Sequence, residues 1–126
     1  MRDFRELKVW EKGHALALDV YRATATFPRE ELYCLTSQLR RCASSVPSNI
    51  AEGCSRGGNA ELARFLQIAM GSASELEYQF LLARDLELLS DVIYEKLSTQ
   101  VVEVKRMLLV ATGQGKVGAT ASTTDS

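Results

Sequence analysis

The apolar residues of this chain recur every three or four positions through four successive segments, and that spacing constrains its fold more than any other feature. Wound at about 100° per residue, each segment collects its apolar side chains on one face, as an amphipathic helix does. No stretch shows the convincing apolar–polar alternation of a half-buried strand. Breakers are scarce, with 2 prolines and 8 glycines in 126 residues, which favours long helices.

The first segment runs from about Glu6 to Ala25 and ends before Phe27-Pro28, because the residue before a proline avoids helical geometry. Its apolar stripe of Leu7, Trp10, His14, Ala17, Leu18, Tyr21 and Ala25 reads as the core face. The second runs from about Glu31 to Ser55, with Leu32, Leu35, Leu39, Cys42, Val46 and Ile50 in line. Pro47 interrupts its hydrogen bonding, but the stripe keeps phase across it, which favours one kinked helix. Gly53, Gly57 and Gly58 mark its exit. The third runs from about Ala60 to Leu89, capped by Asn59, on a stripe of Leu62, Leu66, Ala69, Ala73, Leu76, Phe80 and Ala83. The fourth runs from about Asp91 to Ala111, capped by Ser90 or Asp91, with Ile93, Leu97, Val101, Val104 and Leu108 inward. Short connections between rods of similar length make neighbours antiparallel. The expected fold is therefore all-α, a single up-down-up-down four-helix bundle over residues 1–111. Residues 112–126 hold too little apolar surface to offset ordering and form an expected disordered tail.

Composition then excludes several classes. A net charge of -1 draws the chain to neither nucleic acid nor anionic membrane as a whole. Charge is nonetheless uneven, with Arg40, Arg41, Arg56 and Arg64 in the middle and seven acids between Glu75 and Glu103. No apolar run approaches the roughly 18 residues of a membrane span, and the charged N-terminus does not resemble a targeting segment. Cys34, Cys42 and Cys54 form no CxxC pair and suit a reducing cytosol, with Cys42 on the core stripe.

Catalytic parts are missing. A di-iron bundle needs two ExxH pairs, and Glu11-Lys12-Gly13-His14 contains the only histidine. His14 therefore reads as a packed histidine. Gly53 to Gly58 follows a helix and lacks the GK[ST] ending of a phosphate loop. Ser44, Ser45 and Ser48 have no base nearby in sequence. No enzyme activity, cofactor, metal or small-molecule substrate is expected. Two surfaces stand out instead. Arg41, Ser45, Ser48, Asn49, Glu52 and Arg56 share one face of the second helix, where small polar side chains suit a hydrogen-bonded contact. Val9, Leu16 and Val20 form a second seam about 180° from the first helix's stripe, which points to self-association through these three residues.

The chain resembles the four-helix-bundle family of 23S ribosomal RNA intervening-sequence proteins. The likeness rests on Phe4-x-x-Leu7-x-Val9-Trp10, Tyr21, Phe27-Pro28-x-Glu30-x-x-Tyr33 and the run from Gln38 to Gly53 containing Ser48-Asn49-Ile50-Ala51-Glu52-Gly53. Arg64-Phe65-Leu66-x-Ile68-Ala69 and Gly71-Ser72-x-x-Glu75-Leu76-Glu77 complete it. The resemblance implies a bundle that assembles into a five-membered ring. It also implies kinship with the accessory variability proteins of diversity-generating retroelements, basic rings that partner a reverse transcriptase and its RNA. A cytosolic, homo-oligomeric scaffold or adaptor is the leading expectation. The alternative is an RNA- or nucleoprotein-binding module using Arg40, Arg41, Arg56 and Arg64.

Overall fold

A computed structural model describes residues 2–113. Among the described residues four α-helices are present: α1 (Lys8–Thr24), α2 (Leu35–Ser55), α3 (Asn59–Asp85) and α4 (Asp91–Thr112). Single 3-10 turns at Phe4–Glu6 and Arg29–Glu31 lead into α1 and α2. Each helix packs on its neighbours in sequence and α4 returns to α1, whereas α1 does not meet α3 and α2 does not meet α4. This is an up-down-up-down bundle, as the periodicity implies. The expected tail falls, beyond Gly113, outside the described residues.

Local chemistry sets the helix ends. The Asp3 carboxylate accepts from the Arg5 amide at 3.0 Å and opens the first turn. Ser90 caps α4 by accepting from the Ile93 amide at 3.2 Å. Gly57, at φ 83°, takes the left-handed position that ends α2. Glu87 takes the same position after α3 at φ 65°, and the Leu88 and Glu87 amides donate back to Ala83 and Arg84, each at 2.8 Å.

The core is built by Leu39, Val46 and Ile50 of α2, Leu66, Leu76 and Phe80 of α3, and Leu97, Val101, Val104 and Leu108 of α4. α1 contributes Val9, Gly13, Leu16, Ala17 and Val20. The seam of Val9, Leu16 and Val20, expected to join subunits, is therefore the core face, and Leu16 is fully buried. Trp10, His14, Leu18 and Tyr21 point outward. Size decides the sense. A Cβ at Gly13 would lie 3.2 Å from Val46 Cγ1, so α1 meets α2 at a spacing that admits small residues and not an indole.

Other expectations shift by smaller amounts. α2 starts at Leu35, leaving Leu32 exposed, and runs through Pro47 without interruption to Ser55. Asn59 lies inside α3, whose N-cap is Gly58. α3 ends at Asp85 rather than Leu89, and Ile93 lies outside the core. Gly53 belongs to the α2 interior and is buried. A Cβ there would come 2.9 Å from Phe65 Cβ and 3.1 Å from Leu62 Cδ1, so this glycine lets α2 and α3 touch.

Candidate functional site

The outward face of α1 and the adjoining face of α2 form an open groove of about 370 Å³. Phe4, Trp10, His14, Ala17, Leu18 and Tyr21 make one wall, and Ser44, Pro47, Ser48 and Ala51 make the other. Its surface is mostly apolar. Leu18 and Tyr21 remain 42% and 45% exposed. The rings order one another: Phe4 meets Trp10 edge-on at 4.9 Å, and His14 stacks flat on Trp10 at 4.9 Å. Arg5 lies over Phe4 at 4.6 Å and Arg40 over Tyr21 at 4.7 Å, so guanidinium groups border the groove at both ends. His14, expected in the core, is instead an exposed member of this aromatic row.

The six-residue face of α2 does not act as one surface. Ser45 Oγ lies 2.8 Å from Ser72 Oγ of α3, and Asn49 Nδ2 donates to the Ser45 carbonyl and hydroxyl at 2.8 and 2.9 Å. Further along the same seam, Gln79 Nε2 donates to Gln38 Oε1 at 3.0 Å, and the negative Glu75 carboxylate lies close enough to Cys42 to raise the pKa of its thiol. These small polar groups therefore zip α2 to α3 within the protomer. Ser48 belongs to the aromatic groove. Glu52 pairs with Arg56 at 3.0 Å on the surface, and the exposed Arg41 guanidinium has no hydrogen bond or ion pair among the described residues.

Four arginines were candidates for nucleic acid, and they form two separate groups. Arg56 and Arg64 flank the Phe65 ring at 5.1 and 4.5 Å, and Arg64 pairs with Glu61 at 3.1 Å. Arg40 and Arg41 lie about 24 Å away along α2 at 1.5 Å per residue. No single basic patch unites them.

Burial and the adjacent Glu75 push the Cys42 thiol up from 9.0 to about 11, and burial raises Cys54 as well. Both thiols are buried and Cys34 is exposed. Among the described residues, no three His, Cys, Asp or Glu side chains converge as a metal set would. No helix among them is long and apolar enough to cross a membrane.

What sequence reasoning missed is that Trp10, Leu18 and Tyr21 form the outward seam, with Leu18 and Tyr21 exposed and Trp10 half-buried. The signal was Gly13, which shares a face with Val9, Leu16 and Val20 and marks that face as the close-packed one.

No curated protein matches the chain significantly. Among solved structures, a protein of unknown function from the S23 ribosomal protein family of Bacteroides thetaiotaomicron superposes with a TM-score of 0.74 at 22% identity. The alignment covers 82% of this chain and 97% of that one, and it shows a shared fold. The Ser45–Ser72 zip and all of the aromatic groove except Phe4 lie within residues 5–110, the span over which the chain matches, and so belongs to, the 23S rRNA-intervening sequence protein family.

Proposed function

We propose that the protein is a non-enzymatic scaffold whose copies join through the α1/α2 groove into a closed ring of five. The observation that carries this reading is the groove itself, an apolar surface on a helix whose other face already fills the core. Apolar patches of this kind, rimmed by polar groups, mark docking surfaces. Charge supports a second copy as the occupant. Arg5 and Arg40 flank the groove, whereas the turn from α3 into α4 presents exposed Leu86 and Val92 among Asp85, Glu87, Asp91 and Glu95. Complementary charges around two unlike apolar patches favour a head-to-tail contact, which closes into a ring when its rotation permits. The number five rests on the family resemblance.

Sedimentation equilibrium tests the assembly. Wild type should have a mass near five protomers. Leu18→Glu, which blocks the groove, and Val92→Glu, which blocks the opposite patch, should each give helical monomers. An equimolar mixture of the two should give a 1:1 dimer, since one intact groove meets one intact patch. A wild-type monomer at micromolar concentration refutes the scaffold. Variants that keep the wild-type mass refute these surfaces.

A further inference from the structure

We propose that the corner between α1 and α2 binds a phosphomonoester that carries a small apolar group. The corner holds an open cleft of about 360 Å³, separate from the aromatic groove apart from the shared Tyr21–Arg40 stack. Three independent features point to an anion there.

The first is Arg40. Its Nε donates to Thr24 Oγ1 at 2.8 Å and its Nη2 to the Tyr21 carbonyl at 3.2 Å, with the guanidinium over the Tyr21 ring. The side chain is half-buried and fixed by neutral acceptors alone, and no carboxylate pairs with it among the described residues. A half-buried guanidinium without a counter-charge favours an anion, and its Nη1 group, which no acceptor takes among the described residues, is left to donate to a phosphate oxygen.

The second is Thr36. It lines the cleft at 3% exposure, and its hydroxyl has no hydrogen-bond partner. Buried hydroxyls are ordinarily satisfied, so this one is available to an acceptor.

The third is the start of α2. Thr36 is the second residue of the helix, and the N-cap Cys34 makes no side-chain hydrogen bond to the first turn. The first amides of a helix lack intrahelical partners and carry a positive partial charge, which favours an anion. Arg29, on the cleft rim, adds a cation without an ion pair among the described residues. The acids next to this end are Glu30 and Glu31 on the same 3-10 turn, whereas Asp19 of α1 is turned towards α4, where Gln100 donates to it at 3.0 Å.

The cleft also suggests what the phosphate is attached to. Phe27, Pro28 and Leu32 give it an apolar wall, and its volume exceeds what a bare phosphate needs. Arg40, Thr36 and the first amides of α2 would hold the oxygens while the wall covers the ester group.

Titration of the full chain with phenyl phosphate tests this, by calorimetry and by amide shifts of Leu35, Thr36 and Ser37. Saturable binding that shifts these amides is expected, with inorganic phosphate binding the same site more weakly. Arg40→Gln should weaken binding about ten- to hundredfold, the usual range for a lost charged hydrogen bond. Thr36→Val should weaken it by less, and Arg56→Gln, at the other end of α2, should leave it unchanged. A uridine oligonucleotide that shifts the same amides, with loss in Arg40→Gln, would place the site's phosphate in an RNA chain and not in a small ester. Absence of saturable shifts with every probe overturns the site, as does equal affinity in the Arg40→Gln protein. Should Arg40→Gln lose helicity, Thr36→Val decides, and unchanged affinity in that variant overturns the proposal.

Discussion

Gly53→Ala should destabilise the bundle, although alanine is the better helix former. In an exposed helix interior the same change gains about 1 kcal/mol. At Gly53 the new Cβ would lie 2.9 Å from Phe65 Cβ, 3.1 Å from Leu62 Cδ1 and 3.4 Å from Leu62 Cα. Carbon pairs prefer about 3.5–4.0 Å, so α3 would have to retreat by more than about half an ångström. Phe65 Cβ is fixed to its helix and cannot swing away as a side-chain tip can. Overpacking of this kind costs about 1–3 kcal/mol, and more where backbone must move, so a net loss of about 1–2 kcal/mol remains after the helix-propensity gain. Gly71 provides the control within the same bundle. It lies inside α3, and a Cβ there would meet nothing within 4 Å. Gly71→Ala should therefore gain about 0.5–1 kcal/mol. Urea denaturation at one fixed protomer concentration measures both, because assembly shifts apparent stability by mass action. Equal midpoint shifts for the two variants, or a stabilised Gly53→Ala, would refute the claim that this glycine sets the α2–α3 distance.

Leu16→Ala should cost about 2–5 kcal/mol, because Leu16 is fully buried, whereas Leu18→Ala two residues later should leave monomer stability nearly unchanged; thermal melts of the pair in the Val92→Glu background, where assembly is blocked, check the sense of α1. Glu87→Gly should raise stability by about 0.5–1 kcal/mol, since glycine adopts φ 65° without strain and glutamate does not; a fall in the urea midpoint would contradict this. Cys42 gives a pH dependence. The fold favours its neutral thiol, so that contribution is complete below pH 9 and declines as pH rises from 9.0 towards about 11. The stability of wild type relative to Cys42→Ala should drop by about 2 kcal/mol across that window, and a flat difference would exclude the thiol as the cause.

The bundle was legible in the sequence because α2, α3 and α4 each carry one dominant apolar stripe, and a single stripe leaves no choice of inward face. Leu39, Val46, Phe80, Leu97 and Leu108 are buried where the 3.6-residue period places them. α1 differs in kind. It carries two apolar seams half a turn apart, and periodicity gives the phase of each without saying which one faces inward. Bulk and aromaticity favour the Trp10–Tyr21 seam on a hydrophobicity scale, yet packing favours the other. Val9, Gly13, Leu16 and Val20 follow the alternating four- and three-residue spacing of a helix lying along a neighbour, and Gly13 in their midst requires close approach to Val46 and Pro47. Large amphipathic rings such as Trp and Tyr are also the residues most at home where one side is apolar and the other wet. The polar face of α2 was legible as a set of hydrogen-bonding groups, but not as a contact within the protomer. Ser45 finds Ser72 only because Gly53 brings α3 close one end along, and that distance is a property of two helices together. The cleft beside Arg40 was illegible for a related reason. Thr24, Thr36 and Arg40 are ordinary residues in one dimension, and only the turn through Pro28 folds them onto one another. Single-helix patterns therefore reveal which residues face alike, whereas the sense of an ambiguous helix and the sites between helices depend on how closely two backbones can approach.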